Sequence, residues 1–169
     1  MTNGVPAPLL CIDAFTSEPF RGNPAAVCLL DEPLDDARMQ AIAAELNLSE
    51  TAFVTPGDDE YGLRWFTPTV EVVLCGHATL ASAHALYETG RAAPGQPLSF
   101  STRWRGILRA TSSDDGIRLD FPAAPSTLVD PPAGLADALG AAPVAVGVND
   151  LHHVVELSDA ATVAALQPD

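Results

Sequence analysis

The residues best placed to do chemistry lie in the segment Leu74–Thr79, which holds a cysteine, a glycine and a histidine in succession. The pattern predicts that a strand ends here, that Gly76 permits a tight turn and that a helix begins. The free amides of Gly76, His77 and Ala78 would then face outward at the positive end of a helix dipole, which suits a carboxylate ligand. The same turn also serves as ordinary helix capping, and the pattern alone leaves both interpretations open.

A second candidate is Glu50, in the segment Asn47–Thr51. It lies between the end of a predicted helix and the start of a predicted strand, where a side chain can turn into a cleft. A carboxylate in such a place can act as a general acid or base. Its position does not by itself separate Glu50 from the other 21 of the 22 acidic residues.

The histidines do not have the spacing of a metal site. His77 and His84 are seven residues apart on one predicted helix, about 10.5 Å along its axis, which is too far for both to bind one ion. His152 and His153 are adjacent at a strand start, where neighbouring side chains point to opposite faces. We therefore expect no metal site.

The sequence lacks the residues that several reaction classes require. All eight cations are arginine, and without a lysine the chain has no Schiff-base lysine, P-loop lysine or pyridoxal-phosphate anchor. The glycine-rich dinucleotide motif and the nucleophile elbow of serine hydrolases are also absent from the sequence.

The composition is that of an acidic globular protein. A net charge of -14 repels phosphate backbones and anionic lipids, so we expect neither a nucleic-acid nor a membrane partner. No apolar run approaches the length of a membrane span. Three cysteines without CxxC spacing, and a first segment without signal-peptide features, favour the cytoplasm.

Short apolar runs between turns fill the first 122 residues and predict an α+β fold with a mostly antiparallel sheet. The predicted helices are Asp35–Leu46, capped by Asp35 or Asp36, and His77–Glu88. The predicted strands are Pro8–Phe15, Ala25–Leu30, Thr51–Thr55, Tyr61–Phe66, Val70–Leu74, Leu98–Ser101, Gly106–Thr111 and Ile117–Phe121.

Composition changes at Pro122, which divides the chain into a first domain over residues 1–122, a linker over 123–133 and a second unit over 134–169. The second unit is predicted to contain helix Gly134–Leu139, strands Pro143–Val148 and His153–Leu157, and helix Ala160–Leu166. Because four short elements bury little apolar surface, we expect this unit to be the start of a truncated domain.

Six segments together resemble the PhzF-like family of phenazine-biosynthesis proteins, which has the diaminopimelate-epimerase-like fold. The family's motifs occur in order and at nearly the family's spacing, and the likeness covers the whole chain, most densely before Gly90. The matching segments are Asp13–Thr16, Phe20–Val27, Met39–Gln40, Asn47–Phe53, Arg64–Pro68 and Leu74–Thr79.

The resemblance implies a fold of two similar domains, each a barrel-like mixed sheet around a central helix, with the active site between them. It implies that His77–Glu88 is the helix inside the first barrel, and that the protein is a homodimer. It also implies that Glu50 is the catalytic carboxylate and moves a proton on a small carboxylate substrate, without a metal or cofactor. His77 would help position the proton or the substrate, and the amides of Gly76 and His77 would bind the substrate carboxylate.

Cys75 occupies the position of a catalytic cysteine in the related amino-acid racemases and epimerases. Those enzymes pair two cysteines and have Gly-Asn-Gly where this chain has Gly-His, and no cysteine follows Cys75. We therefore interpret Cys75 as a small buried residue beside the site.

Full-length members of the family continue for roughly another hundred residues, which complete the pocket. We therefore expect a truncated or split form that is an inactive isomerase by itself. The alternative is a non-catalytic fragment or interaction module that pairs with another chain through its unclosed second domain.

Overall fold

The computed structural model describes residues 7–168, whose contacts divide them into two units between Pro122 and Ala123. The described part of the first unit contains eight strands and two helices. In chain order these are β1 (Leu9–Ala14), β2 (Asn23–Leu29), α1 (Asp36–Leu46), β3 (Glu50–Thr55), β4 (Tyr61–Phe66), β5 (Glu71–Val72), α2 (Gly76–Glu88), β6 (Leu98–Thr102), β7 (Gly106–Ser113) and β8 (Gly116–Asp120).

The strands of the first unit form one mixed sheet in the order β1-β2-β3-β4-β6-β7-β8, with β5 paired to β4. The β2–β3 and β4–β6 pairs are parallel and the other pairs are antiparallel. The first strand β1 and the last strand β8 both contact helix α2, as do β2 and β3. The sheet therefore curls around α2, which confirms the predicted α+β barrel with a central helix.

Helix α2 is small and apolar on nearly every face, as a helix enclosed by a sheet must be. Its buried residues are Ala78, Thr79, Ala81, Ser82, Ala83, Ala85 and Leu86. Around them pack large side chains from the sheet, among them Trp65, Phe100 and Leu108, to form the main core. The two buried hydroxyls of the helix donate to carbonyls one turn earlier, Thr79 Oγ1 to Cys75 at 2.6 Å and Ser82 Oγ to Ala78 at 2.7 Å. Burial of α2 therefore leaves neither hydroxyl without a partner.

Helix α1 covers the other side of the sheet through a smaller cluster that includes Met39, Ala43 and Phe53. The Asp35 carboxylate accepts a 2.8 Å hydrogen bond from the Arg38 amide, so Asp35 is the N-cap. Asn47 ends the helix in the left-handed conformation, with φ of 51°, and turns the chain towards β3.

The described part of the second unit contains β9 (Thr127–Val129), α3 (Leu135–Leu139), β10 (Ala145–Val148), β11 (His153–Glu156) and α4 (Ala160–Ala165). Its three strands form a separate antiparallel sheet in the order β11-β10-β9. Strand β9 lies inside the segment 123–133, which the sequence predicts as a linker. Sequence reasoning missed it because three strand residues between proline-rich stretches are too few for an alternating pattern.

Among the described residues, no helix combines the length and the apolar character needed to cross a membrane.

Four charged side chains join α1, β4, β5 and the turn after β6. The Arg64 guanidinium donates to both Glu71 carboxylate oxygens at 2.6 Å and to Asp36 Oδ1 at 2.7 Å. Arg103 Nη1 contacts the same two carboxylates, Asp36 at 3.3 Å and Glu71 at 3.1 Å. The hydrogen bond from Arg64, assisted by Arg103, holds the pKa of Asp36 below its ordinary value.

A depressed pKa makes Asp36 a source of pH-dependent stability. The contribution is present above the pKa of the unfolded state, about 3.9, and is lost as the pH falls through the lower pKa of the folded state. We predict that Asp36→Asn lowers the thermal midpoint at pH 7, and that the gap from the wild type shrinks between about pH 4 and pH 2. Differential scanning calorimetry across this range measures the gap, with Asp58→Asn in an exposed loop as the control. A gap that stays constant to pH 2 would contradict the assignment.

Candidate functional site

The start of α2 positions His77. Cys75 is the N-cap in an extended conformation, and Gly76 and His77 are the first two helical residues. Gly76 does not have a positive φ, and a Cβ there would meet only the Phe121 ring, at 3.9 Å. The turn therefore does not require glycine, and the missing side chain leaves the first turn of the helix open.

The start of β3 positions Glu50. After Asn47 turns the chain, only Leu48 and Ser49 precede the strand. Glu50 is the first strand residue, and it lies in parallel register with Ala25 of β2. Its carboxylate is thus fixed by a strand in the interior of the sheet and not by a loop.

The two predicted site residues meet. Glu50 Oε2 lies 3.2 Å from His77 Nε2, and the two side chains are only 21% and 10% exposed. Ser49 Oγ lies 3.3 Å from the same nitrogen and 3.3 Å from the carbonyl oxygen of Pro24. Cys75 Sγ lies 3.5 Å from the second ring nitrogen, His77 Nδ1. One imidazole therefore connects a carboxylate, a hydroxyl and a thiol.

Sequence reasoning gave no role to Ser49. Ser49 directly precedes Glu50, but adjacency in the chain does not show that the two side chains turn towards the same histidine.

The Cys75 thiol is 7% exposed. Burial raises its pKa to about 12, the Ala78 and His77 amides act in the opposite direction, and the negative charge of Glu50 raises it further. Because the thiolate is the nucleophilic and metal-binding form, a thiol this buried is unreactive near neutral pH.

Glu50, Cys75 and His77 each bring a potential metal ligand atom within 4.8 Å of the others. The spacing of the histidines in the sequence does not predict this set of three residues. However, the sulfur contacts Nδ1 and the carboxylate contacts Nε2, which are different nitrogens of the ring. A single ion binds only one ring nitrogen, so this arrangement fits a hydrogen-bond relay better than a metal centre.

The other histidines lie away from this cluster. His84 is exposed and, with Asp13 and Asp115, lines a cavity of about 380 Å³ between β1, α2 and the start of β8. His152 and His153 are exposed residues of the second unit.

Comparison with known proteins agrees with this fold. The sequence model of the family described as phenazine biosynthesis-like protein matches residues 12–169. A protein from Halalkalibacterium halodurans named as an uncharacterized isomerase is 47% identical over 163 residues, which are 96% of this chain and 61% of that protein. The chain spans about three fifths of the length of the curated relatives it matches.

Solved structures give the same result. The crystal structure of a phenazine biosynthesis protein of the PhzF family from Enterococcus faecalis superposes with a TM-score of 0.85 at 40% identity, covering 96% of this chain and 62% of that one. A probable proline racemase from Agrobacterium radiobacter, at 14% identity, shares the fold alone, with a TM-score of 0.58 over 92% of this chain and 52% of that one.

The fold is thus that of the epimerase and racemase class. Within that class, the chain belongs to the phenazine biosynthesis-like, or PhzF, family.

The three cysteines differ in burial, and this predicts their reactivity. Cys11 is exposed, whereas burial raises the pKa of Cys28 to about 11 and that of Cys75 to about 12. At pH 8 we expect a disulfide reagent such as dithionitrobenzoate to label one thiol per chain rapidly and all three only after unfolding. Cys11→Ala should remove the rapid phase. A rapid phase that persists in Cys11→Ala and disappears in Cys75→Ala would contradict the inert state of Cys75.

Proposed function

We propose that this protein is an isomerase that moves a proton on a small carboxylate substrate by acid/base catalysis, with Glu50 as the acid/base group. The observation that carries the proposal is the 3.2 Å contact between Glu50 Oε2 and His77 Nε2, which belong to two mostly buried side chains. A base and a second proton-carrying group within hydrogen-bond reach form the minimal apparatus for transferring a proton between two atoms of one substrate.

In the proposed reaction, the Glu50 carboxylate takes a proton from a carbon of the substrate, and a proton is returned to another position of the same molecule. The substrate changes its bonding and keeps its formula, so the step needs no oxidant, reductant or leaving group. His77 helps position the proton or the substrate. The buried, protonated Cys75 agrees with these roles of Glu50 and His77, because such a thiol is unsuited to the base role that cysteine has in related racemases.

The substrate carboxylate would bind at the open start of α2, on the amides of Gly76 and His77. Two features support this. The unpaired amides of a helix's first turn attract anions, and Gly76 presents no side chain in front of them. Charge also favours such a site, because a chain with a net charge of -14 needs a local positive field to bind an anionic substrate.

The relatives' names support the same reaction class. The Halalkalibacterium halodurans protein and a Pseudomonas aeruginosa protein that is 52% identical over 159 residues are both named as uncharacterized isomerases.

Exchange with heavy water tests the proposal. Small cyclic and amino-acid carboxylates are incubated with the protein in D₂O, and deuterium on carbon is followed by NMR. The sequence predicts a chain that is inactive by itself, but Glu50 and His77 both lie in the first unit. We therefore expect incorporation into at least one compound, and a loss of at least about 100-fold in Glu50→Gln, the lower range for removal of a general base. Glu45→Gln, at an exposed position on α1, is the matched control and should exchange like the wild type.

Exchange that continues undiminished in Glu50→Gln would overturn the role of Glu50. Absence of exchange by the wild type across the whole set would overturn the proposed activity of this chain.

A second candidate function, an interaction module, is favoured by the surface of the second unit. Five of its large apolar side chains are exposed among the described residues: Leu128 at 77%, Val144 at 62%, Val163 at 57%, Val154 at 53% and Val129 at 37%. Where such residues form a contiguous patch, the patch often marks an interaction surface. The two candidates are compatible, since the resemblance to the PhzF-like family also implies a homodimer.

Sedimentation velocity distinguishes these states. For an organised homodimer we expect a single species of twice 17.6 kDa, and we expect Leu128→Ser to weaken it more than Leu9→Ser at a 52% exposed position of the first unit. A polydisperse distribution would favour a non-catalytic fragment, and a single 17.6 kDa species would contradict self-association.

A further inference from the structure

The hydrogen-bond partners of His77 determine where its ring proton lies. Its Nε2 has two neighbours, Glu50 Oε2 at 3.2 Å and Ser49 Oγ at 3.3 Å. An ionised carboxylate only accepts hydrogen bonds. The Ser49 hydroxyl has one proton, and the Pro24 carbonyl oxygen, 3.3 Å away, accepts it. Both neighbours of Nε2 are thus acceptors, so Nε2 is the ring nitrogen that carries the proton.

A neutral imidazole has one N–H and one bare nitrogen. With the proton on Nε2, the bare nitrogen is Nδ1, which needs a donor in a site this enclosed. Among the described residues, the contact recorded for Nδ1 is Cys75 Sγ, at 3.5 Å. The sulfur is a donor only while it keeps its proton, and burial, which raises the pKa of Cys75 to about 12, keeps it in that state near neutral pH.

We propose that Cys75 is a positioning residue: its S–H donates to Nδ1 of His77 and holds the ring so that Nε2–H faces Glu50. The inference rests on the function proposed above, because it gives the orientation of His77 a catalytic purpose. Cys75 then acts neither as a base nor as a metal ligand. It acts through His77, and it occupies the N-cap of α2, where its backbone is fixed by the buried helix.

Two features of Cys75 suit it to this role. It lies two residues before His77 at the point where strand conformation gives way to helix, so its side chain and the imidazole are presented from one turn of chain. The thiol is also a weak donor. It orients the ring without strongly withdrawing electron density from it.

Nitrogen NMR on protein labelled with ¹⁵N in the histidine rings tests the hydrogen bond directly. His77→Gln assigns the signals. At pH 7 we expect Nε2 to be protonated, and Nδ1 to be unprotonated with the shift of a hydrogen-bonded acceptor. In Cys75→Ala the Nδ1 shift should move to that of a free acceptor, and in Cys75→Ser, which restores a donor, it should return towards the wild-type value. Cys28→Ala, which removes a buried thiol elsewhere, is the control and should leave both shifts unchanged.

A protonated Nδ1 in the wild type, or an Nδ1 shift that is the same in Cys75→Ala, would overturn the inference. The wild-type measurement stands even if Cys75→Ala fails to fold.

The exchange reaction supplies the kinetic test. We expect Cys75→Ala to lower kcat by about 10-fold to 100-fold, as loss of an orienting partner does elsewhere, with KM little changed, and Cys75→Ser to recover most of the loss. A merely structural role would not predict recovery by serine. If Cys75→Ala keeps full kcat while Glu50→Gln is inactive, only the role of Cys75 is overturned. If exchange is undiminished in Glu50→Gln, the proposed function is overturned, and the NMR result remains valid.

Discussion

Burial of helix α2 inside the curled sheet is the constraint on which the rest of the structure depends. A helix can be enclosed by strands only if it is apolar all round and narrow enough for the strands to approach, and α2 meets this with alanines at 78, 81, 83 and 85. Its two buried hydroxyls bond to carbonyls one turn earlier, so enclosure leaves neither hydroxyl without a partner. Because the helix cannot shift in a packed core, its first turn is held rigidly, and with it His77.

Rigid elements also determine what chemistry the site can do. Glu50 starts a strand in the interior of the sheet, and His77 starts the enclosed helix, so the two meet without depending on a flexible loop. Both belong to the first unit, which therefore carries the proposed proton-transfer pair by itself. The same packing that fixes His77 buries Cys75 and keeps its thiol protonated. This environment thus disfavours a cysteine base.

Much of this could be predicted from the sequence, for identifiable reasons. Strand Tyr61–Phe66 and the helix ending at Glu88 have clear boundaries because Pro68 and Gly90 follow them. Strand β9 was missed because its pairing with β10, and not its own three residues, makes it a strand. The part played by Ser49 and the thiol contact of His77 depend on side-chain directions, which residue spacing does not encode. The sequence predicts that Gly76 permits a tight turn, and the structure leaves room for a side chain there.

A crystal structure of Glu50→Gln with a bound small carboxylate tests the central claim most directly, because the variant should bind the substrate without turning it over. The account predicts that the ligand carboxylate lies on the Gly76 and His77 amides and that a hydrogen-bearing carbon faces the side chain at position 50 within about 3.5 Å. A ligand carboxylate bound elsewhere, or a reacting carbon that faces the Cys75 sulfur instead, would contradict it.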